Sequence, residues 1–141
     1  MANTYEVRAQ KFIQQIFPFL DDLTDKFMVN EGVWAFNYTH KRKVRVSSGL
    51  TRIALITSDY VVKFDYDKEQ IRTFGGCKDE MEIYDEAEAD GFEYLFAKIT
   101  PYKYEGYTFY IMPRIKGVGR GFDDAWEYLT DAETDWLCEH R

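Results

Sequence analysis

The sequence is poor in the residues that build metal centres, disulfide frameworks and hydrolase triads. It has two cysteines, Cys77 and Cys138, and two histidines, His40 and His140, and none of them forms a CxxC motif or a Cys/His cluster. This spacing argues against a zinc site and a disulfide framework, so the thiols are expected to be reduced. A hydrolase triad has no anchor either, because no G-x-S-x-G motif occurs.

Long apolar runs are also missing. No stretch approaches the roughly 20 apolar residues that cross a bilayer, and the first ten residues, MANTYEVRAQ, lack the apolar region of a signal peptide. We therefore expect no membrane interaction and a cytoplasmic location. Prolines number only three, while 45% of the residues are hydrophobic and 18% aromatic, which is the composition of a folded protein. The high aromatic content also leaves some aromatic side chains available for a partner surface.

Basic residues are outnumbered by acidic ones, 18 against 25, which gives a formal net charge of -7. This balance argues against capture of nucleic acid by the chain as a whole, so we expect a protein partner with a basic face and no direct nucleic-acid binding. The charge is uneven, because residues 121–139 hold seven acids and no Lys or Arg. A basic stretch lies earlier in the chain, at Lys41, Arg42, Lys43, Arg45 and Arg52.

The chain fits one domain, residues 1–141, in three parts: a helical extension (1–40), a sheet with one helix (41–114), and a connector with an acidic helical end (115–141). Asn3 as N-cap with Glu6 three residues later predicts a helix at the start. The mixed signals of 21–37, with Gly32 among apolar residues, predict a short helix or turn and then a strand. Helices are expected near 123–129 and 132–138.

The middle of the sequence predicts an α+β fold with a five-stranded antiparallel sheet and one packed helix. Short turn signals separate three strands, and a helix over 78–89 ends at Gly91, a usual position for a C-terminal glycine. A turn over 101–106 joins the last two strands. The expected strands cover 43–46, 52–57, 60–64, 94–99 and 107–112.

Lys63 and Glu80 form the most informative pair. Strand alternation places Lys63 on the face opposite Tyr60, Val62 and Phe64. A lysine in a buried strand needs a carboxylate, and Glu80 lies on the apolar stripe of the following helix, where it can meet Lys63 if the helix packs over the sheet. The alternative is that Lys63 extends its amino group to water at the strand end and Glu80 only flanks the stripe.

Three segments together resemble the N-terminal, small lobe of protein kinases. YVVKFDYD is similar to the strand that carries the kinase lysine, CKDEMEIY to the helix with its glutamate partner, and YTFYIMPRIKG to the strand that enters the interlobe hinge. The resemblance covers about 43–121 and is closest to small kinase-like proteins of bacteriophages. It implies a possible ATP site in which Lys63 positions phosphates, Glu80 pairs with Lys63, Gly49 lies in the phosphate loop, and Met112 and Arg114 belong to the hinge.

The H-R-D and D-F-G segments that kinases use for catalysis and magnesium do not occur in these residues. The first hypothesis is therefore a non-catalytic, phage-encoded protein that binds and modulates or inhibits a host protein in the host cytoplasm. A nucleotide-binding fragment of an atypical kinase is one alternative, and an acidic mimic of nucleic acid that inhibits a defence or transcription protein is another. The candidate partner-binding residues are Asp123, Asp124, Trp126 and Glu127. The alternative is that the three acids lie on the wet side of ordinary amphipathic helices that bury Trp126 with other apolar residues.

Overall fold

The computed structural model describes residues 4–49, 51–66, 76–95, 97–114 and 130–139. Within them the chain forms four α-helices, five strands and two short 3-10 helices. In chain order the elements are α1 (Thr4–Ile16), a 3-10 helix (Phe17–Phe19), α2 (Lys26–His40), β1 (Arg45–Ser48), β2 (Arg52–Ile56), β3 (Tyr60–Asp65), α3 (Cys77–Asp90), a 3-10 helix (Glu93–Leu95), β4 (Thr100–Tyr104), β5 (Tyr107–Pro113) and α4 (Asp131–Glu139). None of the described helices has the length and apolar character that crossing a membrane requires.

The five strands form one antiparallel sheet in the order β1-β2-β3-β5-β4. The first three strands are a meander, and α3 connects β3 to the edge strand β4, which pairs only with β5. This confirms the predicted α+β class, with a five-stranded antiparallel sheet and a helix between its third and fourth strands. The predicted alternation in β3 is confirmed as well, since Tyr60, Val62 and Phe64 are buried and Lys63 lies on the other face.

The main core lies between one face of the sheet and the first two helices. Leu55, Val62 and Ile111 stand side by side on β2, β3 and β5 and are fully buried. Phe12 from α1 and Phe36 from α2 meet above them, edge to face, with ring centroids 5.6 Å apart. Burial of each such side chain stabilises the fold by about 1.5–3 kcal/mol, so α1 and α2 are integral to the sheet's stability.

Helix α2 corrects the expectation of a strand within 21–37. Asp25 caps the helix by accepting hydrogen bonds from the N–H groups of Phe27 and Met28. Gly32, whose presence suggested a turn, lies inside the helix and is buried. A Cβ there would stand 2.1 Å from the Phe19 carbonyl oxygen, so the glycine serves a close approach of two backbones. The chain leaves the helix at Lys41, in the left-handed conformation with φ 52°.

Strand β4 corrects the predicted strand 94–99. Residues 93–95 form a 3-10 turn instead, and the strand begins at Thr100. Pro101 lies inside β4, which is possible because an edge strand leaves alternate N–H groups unpaired. The predicted turn 101–106 shrinks to Glu105 and Gly106, whose φ angles of 52° and 82° are typical of a tight two-residue hairpin.

Helix α3 begins where two carboxylates accept its first free N–H groups. Asp65 at the end of β3 accepts from the Cys77 N–H at 2.9 Å, and Asp79 accepts from the Gly76 N–H at 2.8 Å. Negative charge at a helix N-terminus also interacts favourably with the helix dipole. The helix ends at Gly91, with φ 83°, which confirms the predicted C-terminal glycine.

Helix α4 confirms the helix predicted near 132–138. Thr130 and Glu133 form a reciprocal capping box, with bonds of 2.7 and 3.2 Å between each backbone N–H and the other residue's side chain. The helix is anchored by Trp136, whose indole N–H donates to Asp90 of α3 at 2.8 Å. Two expectations lie outside the described residues, the N-cap Asn3 and the helix near 123–129.

Candidate functional site

Lys63 is half-buried on the sheet face opposite the main core. It lies between Ala54 of β2 and Tyr110 of β5, its direct cross-strand neighbours. The Cys77 N–H at the start of α3 donates to Asp65 of β3 at 2.9 Å, which places the start of the helix beside this strand. Burial raises the pKa of Tyr110, and the nearby Cys77 and Asp65 raise it further. The predicted packing of α3 on the Lys63 face of the sheet agrees with this geometry.

Glu80 belongs to α3, and its position falls on the stripe of that helix which holds the buried Cys77, Tyr84 and Ala87. Its side chain lies outside the described part of the structure. The Lys63 to Glu80 ion pair therefore stays a prediction.

The predicted hinge residues are tied into the sheet and its turn. Met112 pairs with Val61 of β3, so this part of β5 is still a paired strand. The Arg114 backbone N–H donates to the Asp59 carbonyl at 3.0 Å, and the Arg114 guanidinium donates to the Thr57 carbonyl at 3.0 Å. That N–H group is thus already satisfied within the chain, at the point where the resemblance implies contact with an adenine edge.

Gly49, the candidate phosphate-loop residue, lies at the opposite end of the sheet from Arg114. Its N–H donates to the Arg52 carbonyl at 2.9 Å, and its own carbonyl accepts from the Tyr66 hydroxyl at 2.7 Å. A side chain at this position would meet nothing within 4 Å. Lys63 lies on β3 between these two ends of the sheet.

An apolar row accompanies Lys63 on the same face. Ile56, Val61 and Met112 are direct neighbours across β2, β3 and β5, and each is half-buried. The flat ring of a ligand can pack against such a row, and Lys63 lies two residues after Val61 on the same face of β3. Among the described residues, no group of three or more His, Cys, Asp or Glu side chains is placed to hold a metal ion.

The candidate partner-binding residues of the acidic end lie outside the described residues. They are Asp123, Asp124, Trp126 and Glu127. What the structure describes of that end is α4, which buries Trp136 and leaves Asp131, Asp135 and Glu139 exposed. Helix α4 is therefore an ordinary amphipathic helix, with these acids on its solvent side.

Sequence reasoning missed an aromatic stripe on the outer surface of α2. Phe27, Trp34 and Tyr38 are 67%, 67% and 78% exposed. Their spacing of seven and four residues places them within about 20° of one line along the helix, opposite the buried Val29 and Phe36. The spacing was visible in the sequence, but it carries meaning only once 26–40 is known to be a helix and its buried side is known.

The aromatic stripe, Phe27, Trp34 and Tyr38, is partly ordered by its own contacts. The Trp34 and Tyr38 rings stack, with centroids 5.9 Å apart and planes 13° from parallel. Exposed acids lie in the turn before α2 and in its first half, at Asp21, Asp22, Asp25 and Glu31. A hydrogen bond from the Thr24 hydroxyl lowers the pKa of Asp22, with a second from the Thr24 N–H, so this carboxylate stays charged at neutral pH.

No family model matches the chain, and no curated protein or solved structure does either.

Proposed function

We propose that this chain is a non-catalytic binding module that attaches to a partner protein through the aromatic stripe of α2. The partner is a host protein if the chain is encoded by a phage, as the resemblance to small kinase-like phage proteins implies. The single observation that carries the proposal is the exposure of Phe27, Trp34 and Tyr38 on one line of a helix whose other side is packed in the core.

The size of the exposed apolar surface favours a docking role. An aromatic side chain buries about 150–250 Å², so three rings about 70% exposed present on the order of 400 Å² to water. The largest patch of a typical monomer is about 300–600 Å² and is often functional. Aromatic anchors one to three turns apart on one helix face are also how helices dock in apolar grooves of partners.

The charges around the stripe indicate the partner's chemistry. Asp21, Asp22, Asp25 and Glu31 are exposed beside the first half of α2, and the whole chain carries a net charge of -7. Opposite potentials speed association and fix orientation, so the fitting surface is an apolar groove with basic residues on its rim. Nothing in this mode of binding requires the chain to perform catalysis.

The test begins with a photo-crosslinking amino acid at position 38 and, as control, at position 94. Tyr94 is also a highly exposed tyrosine, at 64%, but lies on the second 3-10 helix, away from α2. A protein captured only from position 38 is then purified, and its affinity is measured by titration calorimetry. Truncating a central ring costs about 2 kcal/mol, so Trp34→Ala with Tyr38→Ala, about 4 kcal/mol together, should weaken binding on the order of 700-fold.

Tyr94→Ala should leave the affinity unchanged, and thermal melting should show the double variant folded, because both of its rings are on the surface. Equal affinity of the double variant and the parent protein contradicts the proposal. Concentration-dependent dimerisation that the double variant abolishes would also overturn it, since the occupant of the stripe would then be a second copy of the chain. Sedimentation velocity of both proteins distinguishes these outcomes.

Nucleotide binding is the second candidate, and the placement of Lys63 favours it. The lysine lies beside the apolar row of Ile56, Val61 and Met112, on the sheet face where α3 begins. Calorimetric titration with ATP and magnesium tests it, with Lys63→Ala as variant and the exposed Lys103→Ala as control of equal charge. Binding lost only in Lys63→Ala supports this candidate, and no binding at millimolar ATP rejects it.

A further inference from the structure

A concave, strongly basic depression lies at the end of the sheet where β2 turns into β3. Its volume is about 350 Å³. Two parts of the chain that are far apart in sequence supply its cations: the loop after α2 with the start of β1, and the residue after β5. The residues of this basic depression that matter here are Arg42, Lys43, Arg45, Thr57, Ser58 and Arg114.

The four cations have no acidic partner among the described residues. The ion pairs in the described part of the chain join Arg8 to Asp59, at 3.1 Å, and Lys98 to Glu6, at 3.4 Å. Four positive charges around one concavity repel one another unless an anion lies between them. In a chain with a net charge of -7, such a concentration of unpaired cations is not explained by composition.

Neutral groups hold two of the guanidinium groups in place. Arg42 lies over the Phe12 ring, 5.8 Å from its centroid, and close to the buried Tyr60, where its charge partly offsets the rise that burial causes in the Tyr60 pKa. Arg114 donates to the Thr57 carbonyl. Neither contact neutralises the charge, so both guanidinium groups are positioned while their electrostatic attraction for an anion is kept.

The loop that carries Arg42 and Lys43 is also fixed. The Asn37 side chain of α2 donates to the Val44 carbonyl at 2.9 Å and accepts from the Val44 N–H at 3.0 Å. These two bonds bracket the loop between the helix and β1. Binding an anion here therefore requires little ordering of the backbone, which lowers the entropic cost of association.

We infer that the basic depression binds a small phosphorylated ligand through its phosphoryl oxygens. Guanidinium groups bind phosphate in a bidentate manner, and they carry the site, since the Ser58 hydroxyl at the rim already donates to Asp59 at 3.3 Å. A single concavity in an acidic chain suits a compact anion better than a nucleic-acid strand, which needs an extended basic track. The site is at the opposite end of the sheet from Gly49, so it is distinct from the phosphate loop that the kinase resemblance implies.

Titration calorimetry with inorganic pyrophosphate tests this inference, at low salt and again at physiological salt. We expect saturable binding of about one pyrophosphate per chain. Arg42→Ala and Arg114→Ala should each weaken it at least about tenfold, the loss of one charge-assisted contact. Lys103→Ala, an exposed cation on β4, removes the same charge elsewhere and should change the affinity less than about twofold.

Arg42→Ala could unfold the protein because Arg42 contacts the core, so Arg45→Gln is a second variant, at an exposed residue. It should weaken binding several-fold, and circular dichroism verifies that it is folded. An equal loss in Lys103→Ala would mean that only net charge matters, and would overturn the inference. So would the absence of binding at millimolar pyrophosphate. Tighter, steeply salt-dependent binding of a single-stranded oligonucleotide would identify the surface as a nucleic-acid site instead.

Discussion

Gly32→Ala should destabilise the protein, although the same change in most helices does the opposite. In an exposed helix interior, alanine is favoured over glycine by about 0.8–1 kcal/mol. Here the new Cβ would stand 2.1 Å from the Phe19 carbonyl oxygen, 3.0 Å from its carbonyl carbon and 3.2 Å from a Leu20 methyl. Two of these three are backbone atoms, so rotation of a side chain cannot relieve the overlap.

The cost follows from what must move. Helix α2 has to shift by about 1 Å away from the 3-10 helix that precedes it, and overpacking of this kind costs about 1–3 kcal/mol, occasionally more. The shift also loosens the edge-to-face contact of Phe19 with Phe36, whose centroids are 5.5 Å apart. Because backbone atoms must move, the cost falls in the upper half of that range, and after the helix-propensity gain we expect a net loss of about 1–2 kcal/mol, or a melting temperature lower by about 3–7 °C.

Urea unfolding followed by circular dichroism measures the difference. Gly49→Ala is the matched control, since the same substitution there meets nothing within 4 Å and should stay within about 0.5 kcal/mol of the parent protein. If Gly32→Ala proves as stable as the parent protein or more stable, the close approach of α2 to Phe19 is wrong, and with it the orientation of the aromatic stripe.

Two further predictions concern α3 and α4. Asp65→Ala removes the acceptor of the Cys77 N–H and should cost about 0.5–2 kcal/mol in urea unfolding, whereas Asp65→Asn, which keeps an acceptor oxygen, should cost less; equal losses would contradict the capping role. The Thr130 N–H lowers the pKa of Glu133 below its ordinary 4.5, so its stabilising bonds are present above that pH and lost as the pH falls through the folded value. The backbone N–H resonance of Thr130, which donates to the Glu133 carboxylate at 2.7 Å, should shift below about pH 4.5 in the parent protein and lose that transition in Glu133→Gln.

The sheet could be predicted because local signals and tertiary packing agree there. Alternation in 60–64 correctly separated Lys63 from the buried face, and the glycine at 91 correctly ended α3. Where one local signal stood alone it misled. The aromatic run 94–99 has strong strand propensity, yet Tyr94 is exposed and lies near Glu133 of α4, which raises its pKa, a proximity that no local pattern contains. Pro101 suggested a turn, but an edge strand tolerates it.

The surfaces were harder to predict than the fold because each depends on contacts distant in sequence. The basic stretch from Lys41 to Arg45 was visible, but sheet order alone brings Arg114 beside it from the far end of β5. In the same way, Gly32 was read as a break in structure because glycine weakens a helix. Its packing against Phe19 shows why the helix keeps it.

The aromatic stripe lies on α2, and the basic depression begins in the loop that follows this helix, so the choice of variant decides whether the two sites can be tested separately. Gly32→Ala moves the whole helix, so a loss of either binding activity in that variant would be uninformative. Trp34 and Tyr38 contact each other and the solvent, whereas Arg45 and Arg114 belong to strand ends beyond the helix. Because no described contact links the two sets, substitutions at one should leave binding at the other unchanged, and each proposal can fail without the other.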